Sequence, residues 1–334
     1  MNFMNHTDKM LSVVSDHLEK HDLHGKPWYL GFSGGADSSV LLDLLCKNAV
    51  KGQAITLLHV NHQLSDVAQT WVTHAENTIH FFTYAYPEIN FSLCVDYVDC
   101  HHNGKGLEAA ARFARYAAFE SRINEEDHAL FLGHHANDQL ETVLFRLFRG
   151  TGAFGLKGIS EHSLMNNISL YRPMLDISRQ LIEEYASQVG LTYVTDPSNG
   201  ESKFDRNFLR NKIVPLIYER WPHVHQSINR LVQSLKDHES ILEDMAIHDL
   251  DNALLSDDNK INLTVFKNLS SARQRNMLNY WLNTKLLKNV SQGHIAYACA
   301  LLSSDSSNTS KHRHIQRGNL YIVSNKNAFW LENF

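Results

Sequence analysis

The stretch Gly31-Phe32-Ser33-Gly34-Gly35-Ala36-Asp37-Ser38-Ser39 decides how this chain is read. Ahead of it, Pro27 to Phe32 (PWYLGF) is a short apolar run ending at glycines, the pattern of a buried strand. Behind it, Ser38 to Cys46 carries Val40, Leu41, Leu44 and Leu45 at helical spacing. A loop of this composition between strand and helix suits an anion. Gly34 and Gly35 let the backbone approach a phosphate and take positive φ. Ser33, Ser38 and Ser39 add hydroxyl donors, and the free N–H groups and dipole of the helix favour negative charge. Asp37 would repel a bare phosphate; it fits as the holder of a Mg²⁺ that bridges phosphates. The loop lacks the lysine of GxxxxGK[ST] and the glycine order of GxGxxG, so it is neither a Walker loop nor a dinucleotide fingerprint.

Further strands and helices alternate around this segment. Ala54 to Val60, Phe91 to Val95 and Ala129 to Gly133 read as strands, and Asp66 to Phe82, Gly106 to Asn124 and Asn137 to Arg149 as helices. That alternation predicts an α/β fold, a doubly wound and mostly parallel sheet covered on both faces, with ligands at the carboxyl ends of the strands. Gly150 to Gly158 is a glycine-rich loop, a return to β follows at Leu170 to Met174, and helices are expected at Ser178 to Val189 and Phe204 to Tyr218. Pro215, Trp221 and Pro222 mark a boundary. Beyond it, Ile228, Leu231, Val232, Leu235, Leu242 and Met245 trace one apolar helical stripe. A helix from Ser271 to Leu287, a polar loop at Ser303 to Ser310 and a closing hairpin, Leu320 to Val323 with Phe329 to Leu331, complete a second, smaller, mainly helical domain. The expected domains are 1–220 and 226–325.

Composition narrows the setting. A chain of 334 residues with 43% hydrophobic content supports two domains with real cores. No apolar run is long enough to span a bilayer, and the N-terminal stretch has no signal core. The cysteines Cys46, Cys94, Cys100 and Cys299 are scattered without a CxxC pair, as expected of a reduced, cytoplasmic protein. The net charge of -5 disfavours a wholly basic binding face, although a local patch of Lys and Arg suffices for phosphates. The 21 histidines by themselves imply no metal.

Four more segments carry chemistry. Leu58-His59-Val60-Asn61-His62-Gln63-Leu64 lies at a strand's carboxyl end. In Gly106-Leu107-Glu108-Ala109-Ala110-Ala111-Arg112-Phe113-Ala114-Arg115-Tyr116, helical spacing puts Glu108, Arg112 and Arg115 on one face. Those arginines either hold a phosphate in bidentate fashion or form a surface ladder with Glu108. In Gly133-His134-His135-Ala136-Asn137-Asp138-Gln139-Leu140-Glu141-Thr142, Asn137 is placed to cap a helix whose first turn carries Asp138 and Glu141. The spacing is not HExxH and no cysteine assists, which argues against zinc in this motif. Last, Asp196-Pro197-Ser198-Asn199 leads towards Arg206-Asn207-Phe208-Leu209-Arg210-Asn211, a polar turn before a helix with an Arg/Asn face.

The loop alone resembles SGGxDS of the PP-loop ATP pyrophosphatases, a HUP-like fold. In order, SGGADS, LHVNH, ARFARY, HHANDQLET, RPML and DPSN…RNFLR resemble the tRNA(Ile)-lysidine synthase family, strongly from Gly31 to Pro215 and more weakly from Gln226 to Asn325. Two departures stand out. Asn137 occupies a position where many members carry aspartate, and the third domain of the longest members is expected to be absent.

The resemblance implies ATP cleavage between the α and β phosphates. A wobble cytidine of an isoleucine tRNA with a CAU anticodon is adenylated at its C2 oxygen, and free L-lysine then displaces AMP. It assigns Ser33, Gly34, Gly35, Ala36, Ser38 and His59 to ATP, and Asp37 to Mg²⁺. Arg112 and Arg115 go to the α-phosphate or the adenylated base, and Asp138 and Glu141 to the lysine ammonium or Mg²⁺. His134, Arg206, Asn207 and Arg210 lie towards the tRNA or nucleotide. Arg146 with Arg149, Arg273 with Arg275, and Lys311, Arg313 and Arg317 are basic sets that either follow the tRNA backbone or are solvated surface. The oligomeric state is left open, a homodimer included. The rival readings are a tRNA thiolase, which the missing CxxC opposes, a small-molecule amidotransferase, and a non-catalytic ATP sensor.

Overall fold

A computed structural model of the chain describes residues 6–63, 68–99, 107–123, 127–195, 205–255, 260–286, 290–303, 312–317 and 320–333. The chain divides into two compact units, Met1–Gln233 and Ser234–Phe334.

The first unit is built on a six-stranded sheet. Its strands are β1 (Trp28–Gly31), β2 (Ala54–Asn61), β3 (Asn90–Tyr97), β4 (Ala129–Phe131), β5 (His162–Met165) and β6 (Ile168–Tyr171), in the order β3-β2-β1-β4-β6-β5. All pairings are parallel except β5 with β6. Strand order reverses between β1 and β4, so the crevice at their carboxyl ends is where a ligand belongs in an open α/β sheet.

Both faces of this sheet are covered, which is why its strands read as apolar runs rather than alternating ones. From β1, Trp28 and Leu30 join one core with Val40, Leu41 and Leu44 of α2 (Ala36–Asn48), while Tyr29 joins a second core with Phe119 of α4 (Leu107–Arg122) and Leu130 of β4. The covering helices also include α3 (Ala68–Ala85), α5 (Ala136–Phe148) and α6 (Arg179–Val189).

Several elements differ from the sequence reading. The polar N-terminal stretch forms α1 (His6–Lys20), which buries Met10, Val14, His17 and Leu18 on one face. The hairpin strand β5 was not foreseen, because His162-Ser163-Leu164-Met165 pairs two polar with two apolar residues and so shows neither an apolar run nor an alternation. The glycine-rich loop contains a short 3₁₀ turn, Ala153–Lys157. The helix expected from Phe204 to Tyr218 is three pieces: α7 (Asp205–Phe208), a π turn at Leu209–Ile213, and α8 (Val214–Arg220).

In the C-terminal part, α9 (Val224–Ala253), α10 (Leu263–Asn268), α11 (Ser271–Leu286) and α12 (Gln292–Ser303) are accompanied by four antiparallel strands. These are β7 (Lys260–Asn262), β8 (His312–Arg317), β9 (Leu320–Ser324) and β10 (Ala328–Asn333), in the order β7-β10-β9-β8. The hairpin expected at the tail is β9–β10. Phe329 anchors this unit's core, its ring edge-on to Phe266 and Trp281. The apolar stripe along α9 is less buried than its spacing suggests: Val232 is buried, whereas Leu231, Leu242 and Met245 are exposed. The segment Asp196–Asn199 and most of the loop Ser303–Ser310 lie outside the described residues.

Candidate functional site

A cleft of about 420 Å³ opens where β1, β2 and β4 end. Its floor is the loop Ser33–Ser38. Gly34 sits at φ +81°, a conformation that favours glycine, and a Cβ there would come within 3.1 Å of His74 and Val194. Its carbonyl accepts a hydrogen bond from Val194 N–H (2.9 Å), which ties the 191–195 segment across the loop. Gly35 precedes α2 and offers no side-chain cap, so the first-turn N–H groups of α2 remain available to an anion. Ser33 and Ser38 lie within 3.2 Å of each other through their hydroxyls, and Ser38 donates to the Gly35 carbonyl (3.1 Å).

Asp37 opens α2 and faces the turn that leaves β4. Its Oδ1 is buried without a hydrogen-bond partner and lies 3.6 Å from His135 Nε2. Burial raises its pKa, opposed by His135, Arg179 and Arg210. A buried carboxylate oxygen with nothing to bond and a charge that burial disfavours fits a cation such as Mg²⁺, which takes oxygen ligands. Gly133 permits this approach. A Cβ on it would stand 3.2 Å from the Asp37 carbonyl carbon and oxygen and 3.3 Å from Ser38 N, and backbone cannot step aside as a side chain can. Gly133→Ala is therefore expected to cost about 1–3 kcal/mol by overpacking. Calorimetry checks this; a variant with an unchanged melting temperature would show that the turn has slack.

The histidines of the cleft are held neutral. His59 Nδ1 donates to the Phe32 carbonyl (2.9 Å), and burial lowers its pKa, leaving Nε2 without a partner in the cleft wall. Burial, then Arg115, pushes His62 down to about 4, and Arg115 lies 3.4 Å from its Nε2. Burial, with Arg172, Arg112 and Arg206 acting against Asp138, pushes His134 down to about 4 as well. A histidine with a depressed folded pKa stabilises the fold above its ordinary value near 6.5 and loses that contribution as pH falls towards 4. Stability against denaturant should accordingly fall between pH 6.5 and 4, and His134→Gln should flatten part of that fall. Parallel profiles for the two proteins would remove His134 from the account.

Helix α5 presents the acids. His135, not Asn137, is its N-cap: Asn137 N–H donates to His135 Nδ1 (3.2 Å), and His135 N–H donates to Asp138 Oδ2 (3.0 Å). The Asn137 side-chain oxygen instead accepts from the Arg179 backbone N–H (3.0 Å), so this residue fastens α6 to α5. Glu141 is fully buried and receives a two-pronged bond from Arg210, both contacts at 2.8 Å, with Arg210 also 3.1 Å from Asp138. Arg206 adds a contact to Glu141 at 3.7 Å and donates to Thr142. Burial alone would raise the Asp138 pKa, but His135, His134 and Arg210 outweigh it and hold it low. Burial alone would lower the Arg210 pKa, but Glu141, then Asp138 and Asp37, outweigh it and push it up.

The structure places the expected residues in two groups. Ser33, Gly35, Ala36, Asp37, Ser38, His59, Arg115, His134 and Arg210 line the cleft. Asp138, Glu141 and Arg206 stand behind Arg210, and Arg112 is turned aside, its guanidinium over the Tyr116 ring and donating to the Tyr116 hydroxyl (3.1 Å). The Glu108 side chain, the ladder partner expected for Arg112, lies outside the described residues. Arg179, Trp71 and Tyr193 line the cleft without having been singled out; nothing in their local sequence distinguishes them from surface residues. Of the basic sets, Arg146 is tied to the Gly155 and Gly158 carbonyls and Arg273 to Asp249. Lys311 and the side chains of Arg313 and Arg317 lie outside the described residues.

Comparison with known proteins agrees with this layout. The PP-loop domain family matches residues 6–217, and the TilS substrate binding domain matches residues 262–321. A curated relative from Pseudomonas syringae, named tRNA(Ile)-lysidine synthase, is 38% identical over 263 residues, 76% of this chain and 57% of the relative. Another of that name, from Vibrio cholerae, is 34% identical over 86% of this chain and 64% of its own length. The chain thus spans less than two thirds of each. Among solved structures, the U34-tRNA thiolase NcsA of Methanococcus maripaludis shares the fold, with a TM-score of 0.57 at 18% identity over 70% of this chain and 79% of its own.

Proposed function

The chain belongs to the PP-loop family, and from that premise we propose that it ligates free L-lysine to C2 of the wobble cytidine in an isoleucine tRNA with a CAU anticodon. The observation that carries the reading is the unpartnered buried oxygen of Asp37 beside an uncapped helix N-terminus, in one cleft with Arg115, Arg179 and Arg210. That arrangement suits transfer of AMP with departure of pyrophosphate, a reaction that rests on positioning and charge stabilisation. The curated relatives' name, tRNA(Ile)-lysidine synthase, supports a tRNA substrate, and lysine is the amine this reading adds to make lysidine.

In this reading the first-turn N–H groups of α2 and the hydroxyls of Ser33 and Ser38 hold the departing pyrophosphate. Asp37 would hold Mg²⁺, which supplies positive charge against the phosphates. Trp71 and Tyr193 offer ring faces for the adenine. The C2 oxygen of the flipped cytidine attacks the α-phosphorus, pyrophosphate leaves, and Arg115 and Arg179 meet the charge that develops. The lysine amine then attacks C2 and AMP departs with the C2–O bond. Asp138 and Glu141 meet the lysine ammonium only if Arg210 shares them with it, since the structure pairs both acids to that arginine. Sulfur transfer is less well supported: among the described residues no cysteine lines the cleft, and Cys46 is buried with its pKa raised well above normal.

The test is incorporation of labelled lysine into tRNA transcripts. Label should enter the CAU isoleucine transcript only with ATP present, with AMP and pyrophosphate formed in step, and should not enter a transcript whose wobble cytidine is replaced by uridine. ATP binding without lysine- and tRNA-dependent AMP formation would sink the reading in favour of a sensor. Entry of labelled sulfur would favour a thiolase.

A further inference from the structure

Away from the cleft, three ligand-bearing side chains converge where α1 meets the turn into β5. His17 lies in the last turn of α1 and His21 just past its end; His21 N–H donates to the His17 carbonyl (3.3 Å), and the two ring centroids are 4.7 Å apart. Glu161, just ahead of β5, brings one carboxylate oxygen to both: Oε1 lies 2.9 Å from His17 Nδ1 and 3.4 Å from His21 Nε2. The three ligand atoms all fall within 4.8 Å of one another. Ligands of a tetrahedral ion bound at about 2.0–2.1 Å sit about 3.3 Å apart, so small side-chain rotations complete the geometry.

The surroundings hold this arrangement in place. Lys20 Nζ binds the same carboxylate, 2.7 Å from Oε2 and 3.0 Å from Oε1, which steadies it as an outer partner does in a metal site. The Glu161 backbone is fixed, its carbonyl accepting from Arg172 N–H (2.9 Å). The Tyr171 ring walls the site edge-on to both histidines. His17 is almost wholly buried, so its position is set by packing. No step proposed for the cleft uses any of these residues.

We propose that His17, His21 and Glu161 form a three-ligand site for a zinc-type divalent transition metal, with water in the fourth position, that staples α1 to the β5 edge of the sheet. Two imidazoles with one carboxylate suit zinc rather than magnesium or calcium, which take oxygen sets. On binding, the metal takes the place of the proton that each ring turns towards Glu161, and the neutral ring carries its one proton on the other nitrogen.

The experiment uses the full chain, untagged and metal-free, titrated with Zn²⁺ and Co²⁺. One equivalent of zinc should bind and raise the melting temperature, and the cobalt form should show d–d bands without sulfur charge transfer. His21→Ala and Glu161→Gln should each lower zinc affinity by about a hundredfold and abolish the thermal shift. His21 is partly exposed, so its variant keeps the test open if Glu161→Gln misfolds. No zinc-dependent shift in the parent chain, unchanged affinity in His21→Ala, or a thiolate band in the cobalt spectrum would each overturn the proposal.

Discussion

Asp37→Asn is expected to lower the single-turnover rate of pyrophosphate release by about two to three orders of magnitude while leaving the chain as stable as before or more so. The loss follows from the role proposed for the carboxylate: an amide of the same shape supplies no negative charge to a cation. The stability follows from the structure. Oδ1 is buried without a partner, and burial raises the Asp37 pKa, so the folded chain disfavours the ionised form. A carboxyl group with a raised folded pKa gives its stabilising contribution below the ordinary carboxylate range and loses it as pH climbs through the folded value. The melting temperatures of parent and variant should therefore draw apart, in favour of the variant, as pH rises above the ordinary carboxylate value of about 4. Stopped-flow pyrophosphate detection and calorimetry measure the two effects independently. Release at the parental rate would remove Asp37 from the chemistry, and a marked loss of stability would mean that its carboxylate has a structural partner.

Arg210→Met is expected to be the most destabilising single change in the site. It leaves Glu141, almost fully buried, and Asp138 without their main cation. Breaking a buried pair from one side costs about 3–5 kcal/mol, which for a unit of this size lowers the melting temperature by about 10 °C. Adding Glu141→Gln should return part of the loss, because the uncompensated charge goes with it; the cycle should show a coupling of about 2 kcal/mol. Arg210→Lys should rescue poorly, since an ammonium cannot reproduce two parallel bonds to one carboxylate. A melting temperature within two or three degrees of the parent, about 1 kcal/mol, would mean that Arg206 alone neutralises the acids.

The sheet was legible because its parallel strands are covered on both faces and so appear as unbroken apolar runs, and the phosphate loop was legible because its glycines and serines have few other uses between a strand and a helix. The cleft was only half legible. Arg115 and Arg210 could be read from their motifs, but Arg179 and Trp71 reach it through tertiary placement that no local spacing records. Asn137 looked like a cap because it sits at a helix start, yet His135 two residues earlier takes that role and forms a reciprocal pair with Asp138. Helix α1 escaped notice because one of its four buried positions is a histidine, and with it went the pairing of His17 and His21. The stripe on α9 shows the limit from the other side: periodicity tells which residues share a face but not whether anything covers it.

The π turn at Leu209–Ile213 carries a consequence for how this segment can change over time. A π turn holds one residue more than the α-helical turn it replaces. Loss of one codon within 211–213 would let the wide turn relax to an ordinary α-helical one, with no frayed end to mark the change. The wide turn already absorbs the extra residue, so the helix beyond it would stay nearly in phase with the helix before it. Arg206 and Arg210 both precede those three positions and would keep their spacing towards Glu141. The segment can therefore shorten by a residue just after Arg210 as readily as it exchanges side chains, whereas loss of the Arg210 codon itself takes away the cation that the acids share.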